Sequence, residues 1–587
     1  MSQSAASPMP EELRAVVRRY RKAFLTVALL SAVLNVLVLG GSIYMMMVYD
    51  SVLPSHSLPT LFGLLAMLVG VYACQGIFEN YRSGLLSDVG NSLDRALARR
   101  VQRAMTDVAL HRGSPAGDGL SPMRDLEAVR AWFAGPGPTT LIDLPWILFF
   151  IGVLMLLHFW TGFTALVGGA ILVCLTIATN RMVKGPSETA SRTSADRYAI
   201  AEVGVRHAEV LSALGMRGRL LDRLQQVNSD YLAAQRNMNR SVATLGAMSR
   251  IGRMLLQSLI LTVGAILVIK GQASGGAIFA SSILAGRALA PVDQAIANWK
   301  SMIAARAGWS RLSELLAKVP PEPATANILP RPETSLQVQN LFVAPPGSQQ
   351  LTVQAADFSL NAGDGLAIIG PSAAGKSSLG RALVGIWRPI RGAIRLDGAA
   401  LDQYPEDVLG RYLGYLPQTV ELFEGTVAEN IARFDPDCTP EDVIAAARQA
   451  GVHDMIVGLP NGYETQVGMS GRNLSGGQQQ RIGLARALYK DPFVVLLDEP
   501  NSNLDSEGDA ALERAIAGIR ARGGIVVIIA HRPSALANVN LVLMMRDGRM
   551  EMLGPRVEVL QRLVAMQAPQ PAPTPAPVSA PATRNVA

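Results

Sequence analysis

Nine consecutive residues have the types and spacing to hold a polyphosphate: Gly370, Pro371, Ser372, Ala373, Ala374, Gly375, Lys376, Ser377 and Ser378. They follow the phosphate-loop pattern G-x-x-x-x-G-K-[ST]. An apolar run, Gly365 to Ile369, enters the loop, and Ser378 to Val384 leaves it at helical spacing. The glycines let the loop wrap phosphates with backbone N–H groups, and a helix N-terminus behind it adds a favourable dipole. In that setting Lys376 reaches the β- and γ-phosphates, and Ser377 offers its hydroxyl to Mg²⁺. Further along, Val494 to Leu497 reads as a buried strand that ends in two acids, Asp498 and Glu499. Neighbours at a strand's end point to opposite sides. Asp498 can then hold Mg²⁺, directly or through water, while Glu499 orients and deprotonates the attacking water. The chemistry implied is hydrolysis of a triphosphate.

Between loop and strand lie Leu474, Ser475, Gly476, Gly477 and Gln478, which open a helix-patterned stretch from Gln479 to Leu488. A Ser-Gly-Gly run at a helix start is a second anion site made of N–H groups. One triphosphate does not need two such sites. The second is therefore expected to serve a nucleotide held by another copy of the chain.

The elements around these residues fall into two parts. Of the 587 residues 49% are hydrophobic and only 17% charged, a balance that suits a chain half in the membrane and half in water. Apolar stretches long enough for the hydrocarbon core run from Phe24 to Val48, Leu58 to Phe78, about Leu141 to Leu157, Phe163 to Thr179, Met254 to Ile269 and, more weakly, Gly276 to Ala290, with Arg287 and Pro291 read as marking the end of the last. The first exceeds a signal-peptide core, and no small-x-small cleavage site follows it. Lys and Arg gather before the first span, between the second and third, between the fourth and fifth, and after the sixth. The charge bias places those segments, and the nucleotide part with them, in the cytoplasm. The net charge of +7 is spread along the chain beside apolar runs, which points to anionic lipid headgroups and not to nucleic acid. Cys74, Cys174 and Cys438 have neither metal nor redox spacing. The expected domains are a cytoplasmic N-terminal segment 1–22, a six-span domain 23–318, a proline-rich linker 319–334, an ATP-binding domain 335–567 and a Pro/Ala-rich tail 568–587 expected to be disordered or extended.

The run Leu474 to Gln478, placed after a phosphate loop and before Asp498-Glu499, resembles the signature of ABC transporters, and the resemblance covers the whole soluble part. It implies an α/β P-loop ABC nucleotide-binding domain fused to an all-α six-helix membrane exporter domain, with two ATP molecules sandwiched between opposed copies of the former. Gln418, in Gly414 to Gln418, resembles the glutamine that senses Mg²⁺ and water and contacts the membrane domain. Leu504 and Asp505 resemble the loop that crosses the dimer seam, and His531 the switch histidine that contacts the γ-phosphate. The implied catalytic set is Glu499, His531 and Gln418, with Mg²⁺ held by Ser377, Gln418 and Asp498. Two positions depart from the family: Phe342 to Pro345 lacks a clear adenine-stacking aromatic, and Met469 replaces an acid that many exporters carry.

Six spans with one nucleotide domain resemble half an exporter, so the resemblance implies a homodimer whose coupling helices fall near Ser121 to Ala134 and Ala201 to Leu214. A finer likeness, to type I secretion permease/ATPases of the protease-exporter (PrtD/AprD) kind, rests on Met45 to Pro54, Asp143-Leu144-Pro145-Trp146 and Leu289-Ala290-Pro291. Only about twenty residues precede the first span, which is expected to exclude an N-terminal peptidase domain. The implied cargo is an unfolded polypeptide with an uncleaved C-terminal signal. The implied partners are a periplasmic adaptor and an outer-membrane channel, and the implied location is a bacterial inner membrane. Export of lipids or small hydrophobic molecules, and a non-pumping ABC channel or regulator, remain the alternatives.

Overall fold

The computed structural model describes residues 18, 20–112, 120–319, 329–468, 473–502, 504–530 and 536–567. The chain divides near residue 321 into two compact units.

The first unit is helical: α1 (Arg21–Leu37), α2 (Leu39–Met47), α3 (Leu58–Arg112), α4 (Ser121–Ala134), α5 (Gly137–Asp143), α6 (Trp146–Leu157), α7 (Phe159–Arg206), α8 (Ala208–Ala213), α9 (Arg217–Ile269) and α10 (Gly275–Lys318). Among the described residues five helical runs, Arg21–Ser55, Leu58–His111, Gly137–Leu157, Arg217–Ile269 and Gly275–Lys318, are long and apolar enough to cross a membrane. The apolar segment Phe159–Leu175 opens α7. Their outward faces are apolar, with Phe62, Leu148, Leu156 and Leu255 exposed, as suits a lipid solvent and not water. This is a multi-pass membrane protein.

Between the spans the core is made of Phe150, Ile151 and Leu154 of α6, Ala165 and Leu172 of α7, Leu256 and Ile260 of α9, and Leu284 to Leu289 of α10. Small residues permit the approach. A Cβ on Gly168 would lie 2.2 Å from Leu256, and one on Gly162 2.3 Å from Met155. Where α2 passes into a π-helical turn (Val48–Val52), Asp50 accepts from the Ser274 hydroxyl at 2.6 Å and from the Gly276 amide at 2.8 Å. It thus caps α10, and Tyr49 stacks on Phe279 beside it. Arg82 of α3 is buried and bonds Glu79, the Ser31 hydroxyl of α1 at 2.8 Å and Asp143 of α5 at 3.1 Å, and Asp143 also accepts from Asn35. Burying the guanidinium is tolerable because these acceptors surround it.

The helix that holds the sixth span does not stop at Pro291: α10 continues through it to Lys318. Proline forfeits one helical hydrogen bond, but Ala288, Leu289 and Val292 are buried around it, and packing holds the helix together. The segment Ser121–Ala134, expected as a coupling helix, is a helix, and its apolar face packs within its own unit. Leu126 and Val129 pack with Leu93, Leu97, Val101, Leu312 and Leu316, and Asp125 takes a two-pronged contact from Arg311.

The second unit contains a six-stranded sheet in the order β10-β9-β3-β8-β7-β6. Its members are β3 (Gly365–Ile369), β6 (Leu413–Leu416), β7 (Val494–Asp498), β8 (Ile525–Ile529), β9 (Leu541–Arg546) and β10 (Arg549–Pro555). All neighbours are parallel except β10 on β9. The strands β7 and β8 are wholly buried because both sheet faces are covered. On one face α11 (Lys376–Leu383) sets Leu379, Ala382 and Leu383 against Leu496, Val527 and Ile529. On the other, α12 (Pro440–Gln449), through Val443, Ala446 and Ala447, and α13 (Gly476–Leu488), through Ile482, Leu484 and Leu488, share a core with Val495, Leu497 and Ile528. A smaller antiparallel sheet, β2-β1-β4-β5, holds β1 (Ser335–Val343), β2 (Val353–Asn361), β4 (Arg391–Leu396) and β5 (Ala399–Ala400).

Candidate nucleotide site

The phosphate loop, Gln418 and the pair Asp498-Glu499 each lie where a strand gives way to a loop. After β3 the backbone turns through Gly370 (φ 148°), Ala373 (φ 64°) and Gly375 (φ 93°) before α11 begins at Lys376. A Cβ on Gly370 would lie 2.1 Å from the Met545 carbonyl oxygen, and one on Gly375 2.1 Å from that of Thr352. Neither position admits a side chain, so both glycines are required by space as well as by φ. Lys376 Nζ donates to the carbonyls of Gly370 at 2.9 Å and Pro371 at 2.8 Å, arching back over the loop. Burial lowers its pKa, and the nearby Glu499 and Asp498 carboxylates act the other way.

Asp498 ends β7 almost fully buried, and among the described residues nothing donates to its Oδ1. Burial, then the Glu499 charge, pushes its carboxyl up, while Arg381, a hydrogen bond with Ser377 and the Lys376 charge oppose the shift. An orphaned carboxylate oxygen beside a serine hydroxyl is a donor set that a hard divalent cation takes, so these residues fit Mg²⁺. Glu499 follows at φ 49°, a left-handed conformation uncommon for a side chain of its size. Its amide donates to the Ile529 carbonyl at 2.9 Å, and its Oε2 accepts from Gln418 Nε2 at 3.1 Å. Gln418 comes just after β6, which pairs with β7, so the sheet itself brings glutamine and glutamate together.

The signature residues lie apart from this group, on the helix that covers the opposite sheet face. Ser475 is the N-cap of α13: it accepts from the Gln478 amide at 3.3 Å, and Gln478 Oε1 accepts from the Ser475 amide at 2.9 Å. Leu474 is buried, whereas Ser475 and Gly476 are exposed. Asp505 caps α14 (Ser506–Ala521), accepting from Gly508 at 2.8 Å, and it pairs with Arg481; Leu504 beside it is half-buried. His531 and Met469 lie outside the described residues. Phe342 points out of β1, half-buried, with the Arg391 guanidinium 5.8 Å from its ring centroid.

Sequence reasoning passed over two residues. Gln480, third in a run of glutamines, is buried against the backbone around Glu499. Arg433 binds four backbone carbonyls between β6 and α13. Neither stands in a motif that chemistry alone would mark.

Two family models match the chain, the ABC transporter transmembrane region over residues 24–290 and the ABC transporter over 353–502. The chain is 48% identical over 553 residues to the type I secretion system ATP-binding protein PrsD of Rhizobium meliloti (strain 1021), covering 94% of this chain and 95% of that one. This chain belongs to the ABC transporter family. As an ABC transporter of the type I secretion kind it is an ATP-binding ATPase. It is also 26% identical to the leukotoxin translocation ATP-binding protein LktB of Mannheimia haemolytica, over 93% of this chain and 77% of that one. A bacterial Atm1-family ABC exporter with ATP bound has the same fold, with a TM-score of 0.80 at 22% identity over 94% of this chain and 99% of that one. The expected fold class, a membrane exporter domain joined to an ABC nucleotide-binding domain, is the one found.

Proposed function

We propose that this ABC transporter is the ATP-driven pump of a type I secretion system, moving an unfolded polypeptide with an uncleaved C-terminal signal across a bacterial inner membrane. The observation that carries the reading is its full-length likeness to PrsD, a type I secretion protein. The working unit is a homodimer with the nucleotide units in the cytoplasm, joined to a periplasmic adaptor and an outer-membrane channel. Two segments, near Ser121 to Ala134 and Ala201 to Leu214, take part in coupling the two kinds of unit.

In this reading the phosphate loop holds ATP through its amides and Lys376 turns from the Gly370 and Pro371 carbonyls onto the phosphates. Mg²⁺ held by Ser377, Asp498 and Gln418 would neutralise charge developing on the phosphates. Glu499 takes a proton from the attacking water, Gln418 keeps that carboxylate in place, and His531 contacts the γ-phosphate. The partner copy's signature residues close over the same nucleotide. ATP then favours the closed dimer, and its hydrolysis removes the bridge.

The test compares proteins released into the medium by cells making wild-type protein, cells lacking it, and cells making Glu499→Gln. One or more polypeptides should be lost from the medium in the last two, with their C-termini intact in the first. An unchanged set of secreted proteins together with an altered lipid or drug export profile would overturn the reading.

A further inference from the structure

The loop after β7 carries an unusual backbone. Glu499 sits at φ 49°, and a left-handed non-glycine residue persists only where its surroundings hold it. The Ile529 carbonyl fixes its amide from the neighbouring strand. The other side of the turn is held from α13. Gln480, 2% exposed, donates from Nε2 to the Pro500 carbonyl, with the Glu499 carbonyl at 3.4 Å and the Ser502 hydroxyl at 3.3 Å. One residue on, Arg481 pairs with Asp505, which caps α14 after the same turn.

We propose that Gln480 is a positioning residue for the hydrolysis: by holding the Glu499-Pro500 backbone it keeps the Glu499 carboxylate aimed at the attacking water. Gln480 reaches no phosphate itself. It acts from the opposite sheet face, through the main chain, while Gln418 restrains the carboxylate from the strand side at 3.1 Å. The helix whose exposed N-terminus carries Ser475 therefore also holds this chain's own base. That consequence rests on the two-copy reading above, in which Ser475 serves the partner's nucleotide. The amide of Gln480 offers two N–H donors, and the Pro500 carbonyl, the Glu499 carbonyl and the Ser502 hydroxyl all lie within their reach. Replacing it by a group of similar length without donors frees the turn without emptying the core.

The experiment uses full-length protein in nanodiscs, comparing wild type with Gln480→Met and Gln480→Glu. Methionine keeps the length and loses the donors, and glutamate keeps the shape while turning an acceptor towards carbonyl oxygens. Displacing a reacting group by about 1 Å costs on the order of 100-fold in rate. In both variants kcat for ATP should therefore fall about 10- to 100-fold, while KM, binding of a fluorescent ATP analogue in EDTA and the melting temperature stay near wild type. Unchanged kcat in Gln480→Glu would overturn the role. So would a loss of nucleotide binding and melting temperature that parallels the loss of rate, because Gln480 would then only fill space. The readout is hydrolysis by purified protein, so a cargo other than polypeptide would not alter it.

Discussion

Glu499→Gln should bind ATP as tightly as wild type and hydrolyse it at least about 100-fold more slowly, the scale on which a positioned general base acts. The substitution keeps the side chain's length and its place after β7, and it removes the group that accepts the water's proton. The present contact, with Gln418 Nε2 donating to Glu499 Oε2 at 3.1 Å, can persist through the amide oxygen. The expected product is a protein that accumulates with nucleotide bound and its two copies closed. Steady-state ATPase rates and nucleotide retention on gel filtration check both halves of the expectation. Equal turnover in mutant and wild type would remove Glu499 from the base role.

Arg433→Met should destabilise the nucleotide-binding unit by about 3–5 kcal/mol, because it leaves several backbone carbonyls without a donor at about 1–3 kcal/mol for each that water does not reach. The guanidinium donates to the carbonyls of Arg486 at 2.8 Å and Ala487 at 3.0 Å at the end of α13, and to those of Gly410 at 2.6 Å and Leu413 at 3.1 Å around the start of β6. Methionine fills comparable space and satisfies none of them, and hydrogen bonds to a charged group are each worth about 1.5–3 kcal/mol. Burial, then the Arg486 charge, brings the Arg433 pKa down to about 10. The group thus stays protonated at neutral pH in folded and unfolded chain alike. Its contribution is flat below about pH 10, and above that the unfolded chain binds the extra proton, so stability linked to this group rises with pH. A melting temperature lowered by about 10 °C is expected for a unit of this size, with Arg433→Lys in between. Scanning calorimetry or intrinsic fluorescence melts measure it, and an unshifted transition would show that the carbonyls find other donors.

The nucleotide site was legible where chemistry dictates residue type. The phosphate loop needs glycine at 370 and 375 because two carbonyl oxygens occupy the space a Cβ would take. The strand Val494 to Asp498 could be read from an apolar run that ends in acids. Membrane spans were legible because lipid demands length and low polarity, whereas the continuation of α10 through Pro291 was not, because it rests on the packing of Ala288, Leu289 and Val292. The contacts of Arg433 and Gln480 could not be read in advance. Both side chains address backbone carbonyls far away in the chain, and a carbonyl has no residue type to read. The same holds for Asp50, whose partners are an amide and a hydroxyl more than two hundred residues on.

The most direct measurement puts two different defects into one pair of nucleotide units. Lys376→Ala disables the phosphate loop of its own copy, and Ser475→Arg blocks the signature face that this reading assigns to the other copy. In covalently linked dimers, one defect on each copy should leave one sound composite site and a substantial ATPase rate, whereas both defects on one copy should damage both sites. The reverse ranking, or equal rates in the two arrangements, would contradict a nucleotide shared across the seam between copies.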